Sequence, residues 1–214
     1  MDIAHDLNLI PYGSEDSLYV NGHVTGNSPY LTFEWKAGKD GDLHKVQTQL
    51  IGEYNFPNAL AAVTIGRFFG VEAGKIDEAL AGYTPRNNSS QLKKTADNTL
   101  IIDAYNANPT SMMAALQNFR NMTVEKKMLI LGDMRELGAE SAAEHRKIVD
   151  FLQECSFEKV LLVGEQFTAT HPPYHTYANA QEVIKELQTE KPKDYTILIK
   201  GSNGIKLSTV VEFL

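Results

Sequence analysis

The sequence predicts an α/β protein whose C-terminal portion carries a mainly parallel sheet covered by helices, and three features point there. Between Leu18 and Leu50 apolar residues alternate with polar ones, which is the period of half-buried strands. From Thr99 onward four short apolar runs, Thr99 to Ile102, Lys127 to Leu131, Lys159 to Val163 and Tyr195 to Ile199, are each followed by helical spacing. The starts of these runs lie 28 to 36 residues apart, about the length of a βαβ unit, whose right-handed crossovers make neighbouring strands parallel.

The N-terminal strands are marked by Leu31, Phe33 and Trp35, separated by Thr32 and Glu34, and by Val46 and Leu50, separated by Gln47 to Gln49. Turn residues at Asn21-Gly22, Asn27-Ser28-Pro29 and Gly38 to Gly41 favour antiparallel pairing through short connections. Two helices follow, from about Pro57 to Phe69 and from about Ala73 to Ala81, with Gly70 placed to end the first. Glycine takes the left-handed conformation at a helix C-terminus without strain. Residues 85–91 are polar, rich in asparagine and serine and without periodicity, so they read as an interdomain linker between segments 1–84 and 92–214. Farther on, Ala180, Val183, Ile184 and Leu187 share one helix face, as do Leu207, Val210, Val211 and Leu214, each set at i, i+3, i+4, i+7. Ser141 with Glu144, and Asn179 with Glu182, have the spacing of capping boxes, in which N-cap and N3 side chains satisfy exposed backbone donors reciprocally.

With 214 residues, 43% of them hydrophobic, the chain can bury a real core. Its net charge of −7 opposes a nucleic-acid backbone or an anionic membrane as main partner, and neither is expected. The single cysteine, Cys155, cannot form an intramolecular disulfide and falls on the apolar side of a predicted helix, which fits a core thiol in a reducing cytoplasm. No apolar run approaches a membrane span, and Met1 to Tyr12 lacks a basic region followed by an apolar stretch. His5, His23, His44, His145, His171 and His175 show no metal-ligand spacing, so no structural zinc is expected. A Gly-x-Ser-x-Gly nucleophile elbow is absent.

In open α/β sheets ligands gather beyond the carboxyl ends of strands, and three such stretches here are rich in polar residues. The first, Asp103-Ala104-Tyr105-Asn106-Ala107-Asn108-Pro109, places an acid at a strand end and Asn-Pro at a helix start. Proline suits the first helical position and the preceding asparagine can cap it; Asp103 and Asn106 either complete a turn or face a ligand. The second, Leu131-Gly132-Asp133-Met134-Arg135-Glu136-Leu137-Gly138, puts two acids and an arginine in a loop. The third, Lys200-Gly201-Ser202-Asn203-Gly204, leaves a strand with a lysine, two glycines and a hydroxyl ahead of a helix, where backbone amides can hold an anion and Lys200 would add charge. Upstream, Asn55 and Asn58 stand three apart at a strand-to-helix junction. An asparagine amide offers donor and acceptor together, as an adenine edge requires. Helix capping is the alternative for Asn55, while Asn58 lies inside the helix.

Together, Gly52-Glu53-Tyr54-Asn55-Phe56-Pro57-Asn58-Ala59-Leu60-Ala61-Ala62, Asp103 to Ser111, Leu131 to Gly138 and Lys200 to Gly204 resemble the Mur ligase family in order and spacing, from about Gln49 to the C-terminus. The wording of Asp103 to Pro109 and of Gly132 to Gly138 is similar to the branch that joins D-Ala-D-Ala to UDP-N-acetylmuramoyl-tripeptide, rather than to folylpolyglutamate synthetase. The resemblance implies that 1–84 is the last part of a central ATPase domain and 92–214 a C-terminal Rossmann-like domain. It also implies ATP and Mg2+ as cofactors, a cytoplasmic, monomeric enzyme, and a role in peptidoglycan precursor synthesis. No Gly-Lys-Thr or Gly-Lys-Ser phosphate loop occurs in the chain, so the phosphate loop and the metal ligands are expected upstream and these residues alone are expected to be inactive. A non-catalytic nucleotide- or peptide-binding module is the rival from another class. By resemblance, Asn58 would contact adenine, Asp103 would meet the ribose, and Tyr105, Asn106 and Asn108 would shape the cleft mouth. Asp133, Glu136, Lys200 and Ser202 would form the D-Ala-D-Ala pocket or its supporting shell. The family's linker arginine is expected near Ser89, but the chain has Arg86 three residues earlier, so Arg86 is the candidate phosphate contact. On this reading Asp103→Asn would keep the fold and weaken the use of ATP.

Overall fold

The N-terminal segment forms a four-stranded sheet in the order β1 (Tyr12–Gly13), β2 (Val20–Gly26), β3 (Tyr30–Ala37), β4 (His44–Ile51). Here the computed structural model describes residues 7–27, 29–39, 41–85 and 91–214. The chain divides into two compact units, Met1–Thr84 and Pro85–Leu214, and each is considered by itself.

In the first unit β2, β3 and β4 pair antiparallel, while β1 runs parallel to β2. Leu31, Phe33 and Trp35 of β3 are all buried, as their period of two requires. Helices α1 (Phe56–Phe68) and α2 (Ala73–Gly82) cover that face, contributing Ala59, Leu60, Val63 and Ile76 to the core. Gly70 has φ +77 and its N–H bonds to Arg67 O, just past α1, so it ends the helix as expected. Asp77 of α2 ties the layers together: one oxygen accepts from Trp35 Nε1 at 2.8 Å and the other lies 2.7 Å from His44 Nδ1. Ile51, rather than Leu50, is the buried residue at the end of β4. The β3/β4 register shifts between Tyr30 and Thr32, and buried Thr48 donates to Leu31 O while accepting from Leu50 N. A bulge of this kind changes which side chain faces the core.

The second unit contains β5 (Gln91–Lys94), β6 (Thr99–Asp103), α3 (Pro109–Asn121), β7 (Lys127–Gly132), α4 (Ser141–Gln153), β8 (Lys159–Val163), α5 (Glu165–Ala169), β9 (His175–Tyr177), α6 (Ala180–Thr189) and β10 (Thr196–Lys200). The sheet order is β5-β6-β10-β7-β8-β9, all parallel except the β5/β6 pair. The mainly parallel sheet follows from the sequence; the insertion of β10 between β6 and β7 does not. One sheet face packs against α6 and the C-terminal residues Leu207, Val210, Val211 and Leu214. By alternation, Ile101, Leu129, Leu131, Leu162 and Leu198 face the other side, and α3 and α4 bury Met112, Leu116, Phe119, Ile148, Val149 and Leu152.

Several local expectations change. The C-terminal segment buries the predicted face but is a 3₁₀ helix, Leu207–Phe213, entered through Lys206 in the left-handed region. Ser141 is the first residue of α4 and not its cap; its hydroxyl donates to Gln166 Oε1 instead. Asn179 does cap α6, accepting from Gln181 N and Glu182 N, but Glu182 reaches back one residue farther, to Ala178 N. Cys155 lies past the end of α4 and is half-buried, so it is not on the helix's apolar face; desolvation raises its thiol pKa. The reading of 85–91 as a linker, with Arg86 and Ser89, falls on residues 86–90, outside the described residues. Among the described residues no helix is long and apolar enough to cross a membrane.

Glu186 of α6 joins the outer strands, accepting from the Tyr177 hydroxyl and pairing with Lys159 Nζ at 3.1 Å. Burial alone would raise its carboxyl, but the bonds from Tyr177 and Lys159 outweigh burial and hold it below the ordinary 4.5. A depressed carboxylate contributes stability above its unfolded pKa that is lost as pH falls through the folded value. The stability difference between the natural chain and Glu186→Gln should therefore shrink as pH is taken from 7 to below 4.5, read by denaturant melts at each pH.

Candidate functional site

The carboxyl ends of β6 and β10 meet because the two strands pair in register, Lys200 beside Asp103. Lys200 Nζ lies 2.5 Å from Asp103 Oδ2 and donates to Asn106 O at 3.3 Å. Both side chains are nearly inaccessible, at 1% and 8%. An ammonium in such a place persists only with a counter-charge and satisfied donors. This corrects the expected role of Lys200 as a free charge for an anion: its charge is used by Asp103. No α-helix follows it either: the chain continues as a 3₁₀ turn, Asn203–Ile205, and the 3₁₀ helix Leu207–Phe213. The Lys200 contact is made by Asp103 Oδ2, and among the described residues no hydrogen bond to Oδ1 is found.

Tyr105 and Asn106 project beside this pair, Tyr105 at 57% exposure. Asn108 is the N-cap of α3 in a complete capping box: Oδ1 accepts from Ser111 N at 2.8 Å and its own N–H reaches Ser111 Oγ at 3.2 Å. Pro109 then occupies N1, where no N–H is missed. Asn58 stands in the first unit, exposed in the first turn of α1, with no side-chain hydrogen bond among the described residues. Asn55 does not cap that helix with its side chain; Nδ2 donates back to Ile51 O at 2.8 Å.

Asp133, one residue past β7, is 5% exposed. Its two oxygens accept from Gln166 N and Phe167 N, both at 3.0 Å. It therefore caps α5 from a neighbouring strand, so both carboxylate oxygens already hold backbone N–H groups at the edge of the cleft it lines. Gly164, between β8 and α5, has φ +124, and a Cβ there would sit 2.2 Å from Asp133 Oδ2. Only glycine allows that approach. Buried His145 completes the support. Its Nε2 accepts from Met134 N at 3.0 Å and its Nδ1 donates to Ser141 O at 2.7 Å. Those partners assign the neutral Nδ1–H tautomer, so the 3.7 Å approach of Nε2 to Asp133 Oδ1 is proximity and not an ion pair. His145 was discounted as a metal ligand, yet it falls on the same α4 stripe as Ile148, Val149 and Leu152, a signal that marks it as a core residue.

From this frame the chain turns outward. Glu136 is exposed and has φ +66, an uncommon conformation for a residue with a Cβ. Arg135 N–H donates to Ser202 Oγ at 2.9 Å, and Ser202 Oγ donates to Ala107 O at 3.4 Å. Ser202 thus links all three strand-end stretches. Residues Arg135, Glu136, Gly138, Ser141, Glu165 and Gln166 line a cleft of ≈ 720 Å³, within the range of small-molecule sites.

The matching family model is described as Mur ligase, glutamate ligase domain, and covers residues 90–203. The UDP-N-acetylmuramoyl-tripeptide--D-alanyl-D-alanine ligase of Bacillus subtilis is 32% identical over 77% of this chain and 38% of its own length. The Escherichia coli enzyme of the same name is 32% identical over 94% of this chain and 45% of its own. Among solved structures, MurF from Acinetobacter baumannii superposes with a TM-score of 0.78 at 26% identity, covering 94% of this chain and 45% of that one. The chain thus spans less than half the length of these relatives. Since the family model covers more than half of it, from ahead of the first strand-end stretch to Asn203 in the third, the chain belongs to the Mur ligase family of ATP-dependent amide ligases.

Proposed function

We propose that this chain is part of an ADP-forming ligase that joins D-Ala-D-Ala to UDP-N-acetylmuramoyl-tripeptide in cytoplasmic peptidoglycan precursor synthesis. The observation that carries the reading is the cleft whose wall is the Asp133-to-Gly138 stretch, at the carboxyl ends of β7 and β8. It suits the acceptor dipeptide. Support for the substrates comes from the names of relatives that are 32% identical to the chain over the 38% and 45% of their own length that it matches. ATP would be met by Asn58 at adenine and by Asp103 at the ribose, with Tyr105, Asn106 and Asn108 around it. Mg2+ would be held by residues outside this chain, and Arg86 is the candidate phosphate contact.

A carboxylate is a poor electrophile, so the tripeptide's terminal carboxylate must first be phosphorylated, with cations neutralising the transferring group. The dipeptide amine then attacks the acyl phosphate, forming the amide and releasing phosphate. Within this chain the chemistry required is positioning: the acceptor must be held with its amine free to attack and water kept from the intermediate. Glu136 and Ser202 take part as cleft wall and as brace, while Asp133 and Lys200 keep the two strand ends in place.

The test is a chimera in which residues 1–214 replace the matching 45% of the Escherichia coli relative. Phosphate release should require ATP, UDP-tripeptide and D-Ala-D-Ala together, and the 214-residue chain alone should release none. Turnover by the chain alone, or a folded chimera that accepts a single amino acid in place of the dipeptide, would contradict the proposal.

A further inference from the structure

We infer that Arg135 binds the carboxylate end of the ligand in the β7–β8 cleft, and that the turn Ser202 to Gly204 seats it for that task. The inference rests on the acceptor reading above and adds the group that reads the free C-terminus. Arg135 is the basic side chain of the cleft lining. Among the described residues it forms no ion pair, and neither do Glu136 and Glu165, which line the same cleft. The other charges nearby are already used: Asp133 holds Gln166 N and Phe167 N, and Lys200 holds Asp103. One guanidinium and two carboxylates thus face a common space without neutralising one another. A small zwitterion, with a carboxylate at one end and an ammonium at the other, complements that arrangement. A guanidinium can engage a carboxylate through two parallel hydrogen bonds, so it reads shape as well as charge.

The position of Arg135 is built. Its N–H is held by Ser202 Oγ at 2.9 Å, and Ser202 N is held by Asp133 O at 3.2 Å. Its guanidinium lies directly over Gly204, where a Cβ would come 2.3 Å from Nη1 and 2.6 Å from Cζ. The Lys200-to-Gly204 turn therefore acts on the ligand through Arg135. Gly204 carries no positive φ, so its lack of a side chain serves the arginine and not the backbone.

The experiment is an amide-resolved NMR titration of the 214-residue chain with D-Ala-D-Ala, its C-terminal amide and L-Ala-L-Ala. D-Ala-D-Ala should shift residues 133–138 and 164–166, and the C-terminal amide should bind about tenfold to a hundredfold more weakly, the worth of a charge-assisted hydrogen bond. Arg135→Gln should abolish that preference. Gly204→Ala keeps the charge but displaces the guanidinium, and it should lose most of the preference with an unchanged melt. If the natural chain binds acid and amide equally, or Arg135→Gln keeps the preference, the role of Arg135 is overturned while the acceptor reading stands. If L-Ala-L-Ala binds as tightly and Arg135 still discriminates acid from amide, the role stands and the D-alanyl reading fails. Absence of any shift in the cleft overturns both.

Discussion

Lys200→Met is expected to cost the second unit about 3–5 kcal/mol, because it removes the counter-charge of a carboxylate that cannot reach water freely. The Asp103 and Lys200 side chains are 8% and 1% exposed and 2.5 Å apart. Losing one partner leaves the other charge buried alone, which is far more costly than losing an exposed pair. Against typical domain stabilities of about 5–15 kcal/mol this is a large fraction, and the melt should fall by roughly 10 °C or more. The same holds for Asp103→Asn, which strands the ammonium. The buried pair thus adds a stability cost to the sequence-based expectation for Asp103→Asn, so any kinetic loss in that variant would mix ribose contact with a loosened strand end. The double variant Asp103→Asn/Lys200→Met should recover most of the loss, since no uncompensated charge remains. Denaturant melts of the three variants check this, and single-variant losses under about 1 kcal/mol would mean that water reaches the pair.

Gly164→Ala should be comparably severe, at about 3 kcal/mol or more, for two separable reasons. Backbone at φ +124, ψ 166 is essentially reserved for glycine, and a side chain there costs on the order of 1–3 kcal/mol. The added Cβ would also lie 2.2–2.6 Å from the Asp133 carboxylate. That carboxylate cannot step aside without releasing Gln166 N and Phe167 N, hydrogen bonds to a charged acceptor worth roughly 1.5–3 kcal/mol each. Gly74→Ala is the contrasting control: it is exposed in α2, with open space around it and no positive φ. It should stabilise by a few tenths to about 1 kcal/mol. Equal effects at the two positions would show that the Asp133–α5 cap has slack.

How much of this was legible in the sequence depends on the range of the interaction. The β3 stripe Leu31, Phe33, Trp35 and the α6 stripe Ala180, Val183, Ile184, Leu187 are local patterns, and both are buried as read. Strand β5, Gln-Leu-Lys-Lys, has one apolar residue because it is a partly exposed edge strand, so the sequence shows no period there and Gln91 reads as the linker end. β9 is three residues long and follows a Pro-Pro turn, too short to show a period. The pairing of Asp103 with Lys200 spans 97 positions and depends on β10 inserting between β6 and β7, which no periodicity encodes. Asp133 was singled out, but its partners are backbone N–H groups of Gln166 and Phe167, which have no residue signature. The strand-end stretches were visible as polar punctuation; which of their side chains brace the loops and which face the cleft required the fold.

The central claim is that the acceptor dipeptide lies in the cleft at the carboxyl ends of β7 and β8. The most direct measurement is photo-cross-linking of the chimera by a D-Ala-D-Ala analogue carrying a diazirine on one methyl group, in the presence of ATP and UDP-tripeptide, with labelled peptides mapped by mass spectrometry. The label should fall on residues 133–138, 164–166 and 203–205, and excess unmodified D-Ala-D-Ala should compete it away. Competable label confined to the opposite end of the sheet, for example the hollow formed by Lys94 to Thr99 and Asp194 to Thr196, would contradict the claim.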